Sequence, residues 1–222
     1  MKKKEYFLVI ILLISIFHGF AQNVDYPYAD EIRKFKALDS INPPPQNAIL
    51  FAGSSSFRIW EDVQNYFPRY TIINRGFGGS CLTDMIRYTN DIIIPYHPKQ
   101  IVIYCGENDF AASDTITSAT VNLRFMQLFT LIRKQLPQAK ITYVSIKPSP
   151  SRWQLKEKMM ASNKFIRKFL KRKPNTSFVD VWPKMLGSDK QPLKGIFLED
   201  QLHMNPTGYN IWQKAIKPHL LK

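Results

Sequence analysis

The sequence predicts an α/β protein, a three-layer α/β/α sandwich built on a five-stranded parallel sheet. Three observations predict it. Five short apolar runs mostly lack the polar alternation of a half-solvated strand, as strands buried on both faces do. Helical patterns lie between them, and strands alternating with helices imply right-handed crossovers. Polar, glycine-bearing stretches follow several of the runs, where an open parallel sheet places its ligand site.

The elements follow in order. Tyr28 to Ser40 reads as a short amphipathic helix with Ile32, Phe35 and Leu38 on one side, stopped by Pro43-Pro44-Pro45 because proline cannot continue a helix. The apolar runs are Ala48–Ala52, Tyr70–Ile73, Ile101–Cys105, Ile141–Ile146 and Ser177–Val181. The clearest helical pattern is Val121, Phe125, Leu128, Ile132 and Leu136, spaced by three and four and closed by Pro137. A second helix is expected from about Trp153 to Leu170. A last one runs from Pro206 to about Ile216, with proline suited to its first turn.

The chain has 222 residues, 45% of them hydrophobic, and shows no internal repeat, which fits one domain with a sizeable core. Residues 1–21 read as a cleavable export signal. Lys2, Lys3 and Lys4 precede an apolar run from Tyr6 to Phe17, and Gly19 and Ala21 supply the small residues before a cut at Gln22. The run is short for a membrane span, which needs roughly 20 residues. The expected product is a single domain over residues 22–222, periplasmic or extracellular.

Charge narrows the partners. The net charge of +14 falls to +12 without the leader, which carries three lysines and Glu5. Such a balance favours weak association with anionic surfaces. The densest basic run is Lys164, Arg167, Lys168, Lys171, Arg172 and Lys173, expected on one helix and its end, where cations are favoured anyway. A solvated face is the reading, and no nucleic-acid site is expected. Export would permit a disulfide between Cys81 and Cys105. Cys105 ends an apolar run, however, and two free thiols are the expectation.

The stretches after the runs carry chemistry. They are Gly53-Ser54-Ser55-Ser56, then Asn74-Arg75-Gly76-Phe77-Gly78-Gly79-Ser80, then Gly106-Glu107-Asn108-Asp109. Asp200-Gln201-Leu202-His203 stands before the last helix. A serine hydroxyl is a weak nucleophile until an imidazole takes its proton. Asp200, three residues before His203, can reach back in a turn to fix the ring's tautomer. A tetrahedral oxyanion needs fixed donors, which the backbone at Gly79 and the amide of Asn108 can supply. If the second and third strands flank the first, Gly79 and Asn108 bracket Ser55.

Taken singly these residues are unremarkable. Gly-Ser-Ser-Ser can be a turn, Asn108 a helix cap, and His203 a structural histidine. Other signatures are missing. Gly78-Gly79-Ser80-Cys81-Leu82 lacks the closing glycine of a nucleophile elbow, and the third glycine of a dinucleotide fingerprint would fall at Cys81. No H-E-x-x-H or Cys-x-x-Cys metal signature is present.

Together, in this order, the stretches resemble the four blocks of the SGNH (GDSL-type) serine hydrolases. Gly53-Ser54-Ser55 is similar to the first block, Gly79 to the second, Gly106-x-Asn108-Asp109 to the third and Asp200-x-x-His203 to the last. Asn42-Pro43-Pro44-Pro45, Asn74 to Gly79 and Ile146 to Trp153 resemble a bacterial secreted branch of that family. The resemblance implies a flavodoxin-like sheet of order 2-1-3-4-5 and hydrolysis of a carboxylic ester, such as an acylated sugar or lipid, through an acyl-serine. It implies Ser55 as nucleophile, Asp200 and His203 as its activating pair, and Ser55, Gly79 and Asn108 as oxyanion donors. No metal or cofactor is implied. One departure is Ser54, where the family has aspartate. It leaves three consecutive serines, so Ser54 and Ser56 stand as alternative nucleophiles, and a decayed, glycan- or surface-binding protein as an alternative function. Arg152 and Trp153 follow the fourth run where a substrate would lie, and are read equally as substrate contacts or as helix cap and packing.

Overall fold

The computed structural model describes residues 26–222. The leader reading for residues 1–21 lies outside them. Five strands, β1 (Ile49–Gly53), β2 (Ile72–Gly76), β3 (Gln100–Tyr104), β4 (Lys140–Val144) and β5 (Thr176–Val179), form one sheet of order β2-β1-β3-β4-β5. Every pairing is parallel. Among the described residues eight α-helices connect or flank them: α1 (Ala29–Ile41), α2 (Ser55–Arg58), α3 (Val63–Tyr66), α4 (Leu82–Ile92), α5 (Glu107–Ala112), α6 (Ser118–Gln135), α7 (Lys156–Leu170) and α8 (Pro206–Ile216).

Alternation along the central strands splits the core in two, since successive side chains point to opposite faces. Leu50, Ala52, Ile101, Ile103 and Ile141 pack under α1, α4, α6 and α7. Ile49, Phe51, Val102, Tyr104 and Val144 pack under α2 and α8 with Trp60, Tyr209 and Trp212. Phe51 is wholly buried, and burial of that kind contributes about 1.5–3 kcal/mol per side chain.

The outer strands differ from the expectation of burial on both faces. Only β1, β3 and most of β4 are continuously buried, whereas β2 and β5 close the sheet and stay half-exposed. The second run also sits later than its hydrophobicity suggested. β2 begins at Ile72 and takes in Asn74 and Arg75 before ending at Gly76. Asn74 belongs there because its amide donates to the carbonyls of Phe57 and Trp60, tying the strand to the segment after β1. The long helix expected from Trp153 begins at Lys156, preceded by a 3-10 turn over Pro150–Leu155. Pro150 starts that turn, and proline supplies no N–H for an inner helical bond.

Candidate active site

The carboxyl ends of β1, β2 and β3 converge on one edge, because Gly53 is in register with both Gly76 and Tyr104. Glycine is required at 53. A Cβ there would meet the Tyr104 carbonyl oxygen at 2.0 Å. The chain then turns sharply: the Ser54 N–H donates to the Tyr104 carbonyl, and α2 starts at Ser55. Ser54 and Ser56 are buried, at 3% and 2% exposure, while Ser55 keeps a partly open side chain. Of the three serines it is Ser55 whose hydroxyl meets an imidazole.

That imidazole comes from the other end of the chain. Phe197 and Met204 form an isolated antiparallel bridge, and the Leu198 N–H donates to the His203 carbonyl at 2.7 Å, closing a tight loop. Inside it Asp200 Oδ1 accepts the N–H groups of Leu202 and His203, both at 2.9 Å. The other oxygen, Oδ2, lies 2.5 Å from His203 Nδ1. His203 Nε2 is 2.9 Å from Ser55 Oγ. This arrangement has Nδ1 donating to Asp200, so Nε2 is free to accept the serine proton.

The loop is anchored on both sides. Asn205 caps α8 by accepting the N–H groups of Thr207 and Gly208, and Pro206 fills the first helical position. Tyr209 on α8 donates its hydroxyl to the Ser56 carbonyl at 2.8 Å, so one helix steadies both the histidine loop and the turn bearing Ser55. Partial burial raises the Asp200 carboxyl, but hydrogen bonds from the His203 ring and from the backbone of His203 and Leu202 outweigh it, leaving the group below its ordinary value. Asp200 is thus favoured as an anion beside the His203 ring.

Donors face the same edge. The Ser55 N–H, at the head of α2, and the Gly79 N–H have no acceptor among the described residues. Asn108 Nδ2 spends one hydrogen on the Ser80 carbonyl at 3.3 Å and lies 3.7 Å from where a Gly79 Cβ would stand. Its second amide hydrogen is unspent. Asn108 is the second residue of α5, and Gly106 occupies the cap position instead. An arrangement of this kind can deprotonate a hydroxyl, hold a negative oxygen and reprotonate a leaving group.

Sequence reasoning missed what holds Asn108. Behind it Glu107 is buried and receives Lys147 Nζ at 2.6 Å, the Tyr104 hydroxyl at 2.5 Å and the Ser149 hydroxyl at 3.3 Å. The only trace in the sequence was a lysine and a glutamate within otherwise apolar or loop surroundings. Cys81 and Cys105 are free thiols. Burial, then the charges of Asp109 and Asp84, push Cys81 up to about 12, which removes it as a nucleophile. Arg152 and Trp153 lie on the 3-10 turn beside the histidine loop, where the Ser151 hydroxyl donates to the Gln201 carbonyl at 3.0 Å. Trp153 stacks with Trp182 at 6.1 Å. Among the described residues no group of three or more His, Cys, Asp or Glu could hold a metal, and no helix is long and apolar enough to cross a membrane.

Comparisons with known proteins complete the picture. No curated protein sequence matches the chain. Among solved structures it is similar to a GDSL-like lipase from Bacteroides thetaiotaomicron, with a TM-score of 0.73 and 20% identity over 85% of this chain and 96% of that one. A candidate platelet activating factor from Streptococcus pneumonia gives 0.75 and 22% over 86% and 92%. A mutant of Axe2, an acetyl-xylooligosaccharide esterase from Geobacillus Stearmophilus, gives 0.62 and 13% over 80% and 96%. At these identities the likeness is one of fold. The profile of the GDSL-like Lipase/Acylhydrolase family matches residues 47–211, from the start of β1 into α8, and on that match the chain belongs to this family.

Proposed function

We propose that the protein is an exported serine esterase that cleaves a carboxylic ester of an acylated sugar or lipid through an acyl-enzyme on Ser55. The observation that carries this reading is the His203 ring, held between Asp200 at 2.5 Å and Ser55 Oγ at 2.9 Å. In the first half-reaction the Ser55 proton passes to His203 Nε2 while Oγ attacks the ester carbonyl carbon. The carbonyl π electrons move to oxygen, and that oxyanion is received by the N–H groups of Ser55, Gly79 and Asn108. Collapse expels the alcohol, which takes the proton from His203, and leaves an acyl-serine. Water then repeats the sequence, giving its proton to His203 and releasing the acid as Ser55 is restored.

Asp200 supports the step by keeping the Nδ1 proton in place and opposing the positive charge that forms on the ring. Ser54 leaves this set complete, since the acid partner comes from the last loop and not from the first. One structural neighbour is a mutant of an acetyl-xylooligosaccharide esterase, which supports an acylated sugar as the substrate. The leader-like residues 1–21 support export.

Hydrolysis of p-nitrophenyl acetate tests the reading. Ser55→Ala is expected to lose at least about 10³-fold in kcat, since removal of a triad member leaves only the oxyanion donors and binding. Turnover equal to that of the parent protein would overturn it.

A further inference from the structure

The 3-10 turn over Pro150–Leu155 has three residues per turn, and therefore three faces. Ser151 faces the histidine loop, its N–H and hydroxyl both donating to the Gln201 carbonyl, at 3.2 and 3.0 Å. Pro150 and Trp153, three apart, line a cavity of about 760 Å³ whose opposite wall is the loop over residues 187–194. Arg152 and Leu155 share the third face, and Leu155 packs onto the core. The turn also packs against α5, the helix of Asn108. Arg152 thus lies on a turn that touches both the histidine loop and the helix of Asn108.

This arginine has nothing to hold. Four arginines among the described residues are half-buried: Arg75, Arg124, Arg133 and Arg152. Arg75 binds Asp39 and the Tyr96 hydroxyl, Arg124 binds Asp109, and Arg133 binds the carbonyls of Pro137 and Ala139. Arg152 makes no side-chain hydrogen bond or ion pair with any described residue. Its Nε is buried without a partner, whereas its two Nη atoms, equally unpartnered, are not buried. The stem is therefore fixed by packing while the fork ends open on accessible surface.

Burying part of a guanidinium without an acceptor costs stability, and such groups in native proteins call for an explanation. The exposed pair of Nη atoms has the geometry that accepts a carboxylate or phosphate-type oxyanion side by side. The turn touches the loop of His203, the residue that protonates the departing alcohol, so the anion belongs on the alcohol side of the ester. We infer that Arg152 is a specificity residue that receives an anionic group on the alcohol portion of the substrate. The inference rests on the esterase reading of Ser55. Trp153 then has a supporting part, wedged against Trp182 at 6.1 Å with Lys156 Nζ 4.8 Å from its ring centre.

Two acetate esters separate the possibilities: 4-acetoxybenzoate, which is anionic, and 4-acetoxybenzamide, its neutral isostere, each corrected for its rate with hydroxide. The parent protein is expected to favour the anion by about tenfold in kcat/KM, chiefly through KM, as one charge-assisted pair allows. Arg152→Gln, which keeps part of the buried stem, should bring the ratio near one and change the neutral ester by no more than about twofold. Arg152→Lys should restore part of the preference. An equal loss on both esters, or a parent ratio near one, would overturn the inference. If the parent cleaves neither ester, the esterase reading fails, and benzoate titration followed by tryptophan fluorescence judges Arg152 alone. Binding weakened about tenfold or more in Arg152→Gln keeps the anion site, whereas equal binding or none removes it.

Discussion

The Asp109 carboxylate on α5 accepts the backbone N–H of Leu82, at the head of α4, at 2.9 Å. Its other oxygen receives Arg124 Nη1 at 2.7 Å. One buried group thus ties the head of α4, which follows the loop of Gly79, to the helix of Asn108. Burial pushes Asp109 above the ordinary carboxylate range despite Leu82 and Arg124. Asp109→Ala should cost about 3 kcal/mol in urea unfolding, because it strands a helix-end N–H and leaves Arg124 without its acceptor. Asp109→Asn keeps an acceptor for Leu82 and should cost less. A milder loss in the alanine variant than in the asparagine variant would contradict this tie.

A second support lies beneath Asn108. Lys147 and Glu107 form a buried ion pair at 2.6 Å, with side-chain exposures of 1% and 5%. Removing one partner leaves the other charge buried and alone, so Lys147→Met should destabilise by about 3–5 kcal/mol. Combining it with Glu107→Gln should cost less than the two single changes added together. Additive losses in denaturant melts would show that the pair is not coupled.

The proposed oxyanion donors differ in what they tolerate. Asn108→Ala removes a donor and should lower kcat by on the order of 10²–10³-fold with KM little changed. Gly79 contributes its N–H, and a Cβ there would make only ordinary contacts, the nearest at 3.7 Å to Asn108 Nδ2. Gly79→Ala should therefore keep activity within about tenfold. Gly53→Ala is different, since its Cβ would collide with the Tyr104 carbonyl, and it should abolish soluble folded protein. Circular dichroism and initial rates check all three.

Acid should expose the role of Asp200. Its carboxyl is held below the ordinary value of 3.8, so it binds fewer protons folded than unfolded near that pH. The stability it contributes is present above that value and is lost as pH falls through the lower folded value. Asp200→Asn should give a shallower loss of stability below about pH 4, and a kcat reduced by on the order of 10⁴-fold at neutral pH. Thermal melts across pH and initial rates report the two effects separately.

Hydrophobicity made the fold legible because β1, β3 and most of β4 are buried and carry mainly apolar side chains. It failed at the edges. Asn74 and Arg75 read as loop, yet they continue β2, because an edge strand with one open side accepts polar side chains that bond to neighbours. The short helices α2 and α5 also escape periodicity, being a turn or so long. Within the site, the resemblance to the four family blocks is what pointed to Ser55, Asp200 and His203, whose side chains the fold brings into contact. Glu107 and Lys147 were not, since the contact joins positions 40 apart and depends on two strand ends lying side by side. The open fork of Arg152 was equally hidden. A sequence shows that an arginine is present, and only packing shows that nothing pairs with it.

Fluorophosphonate labelling tests the central claim most directly, because the reagent reacts with a serine only when a base has activated it. The folded protein, digested and mapped by mass spectrometry, should carry one label on the peptide containing Ser55, and His203→Ala should carry none. Absence of label on the folded parent protein, or a label on a serine other than Ser55, would contradict the account.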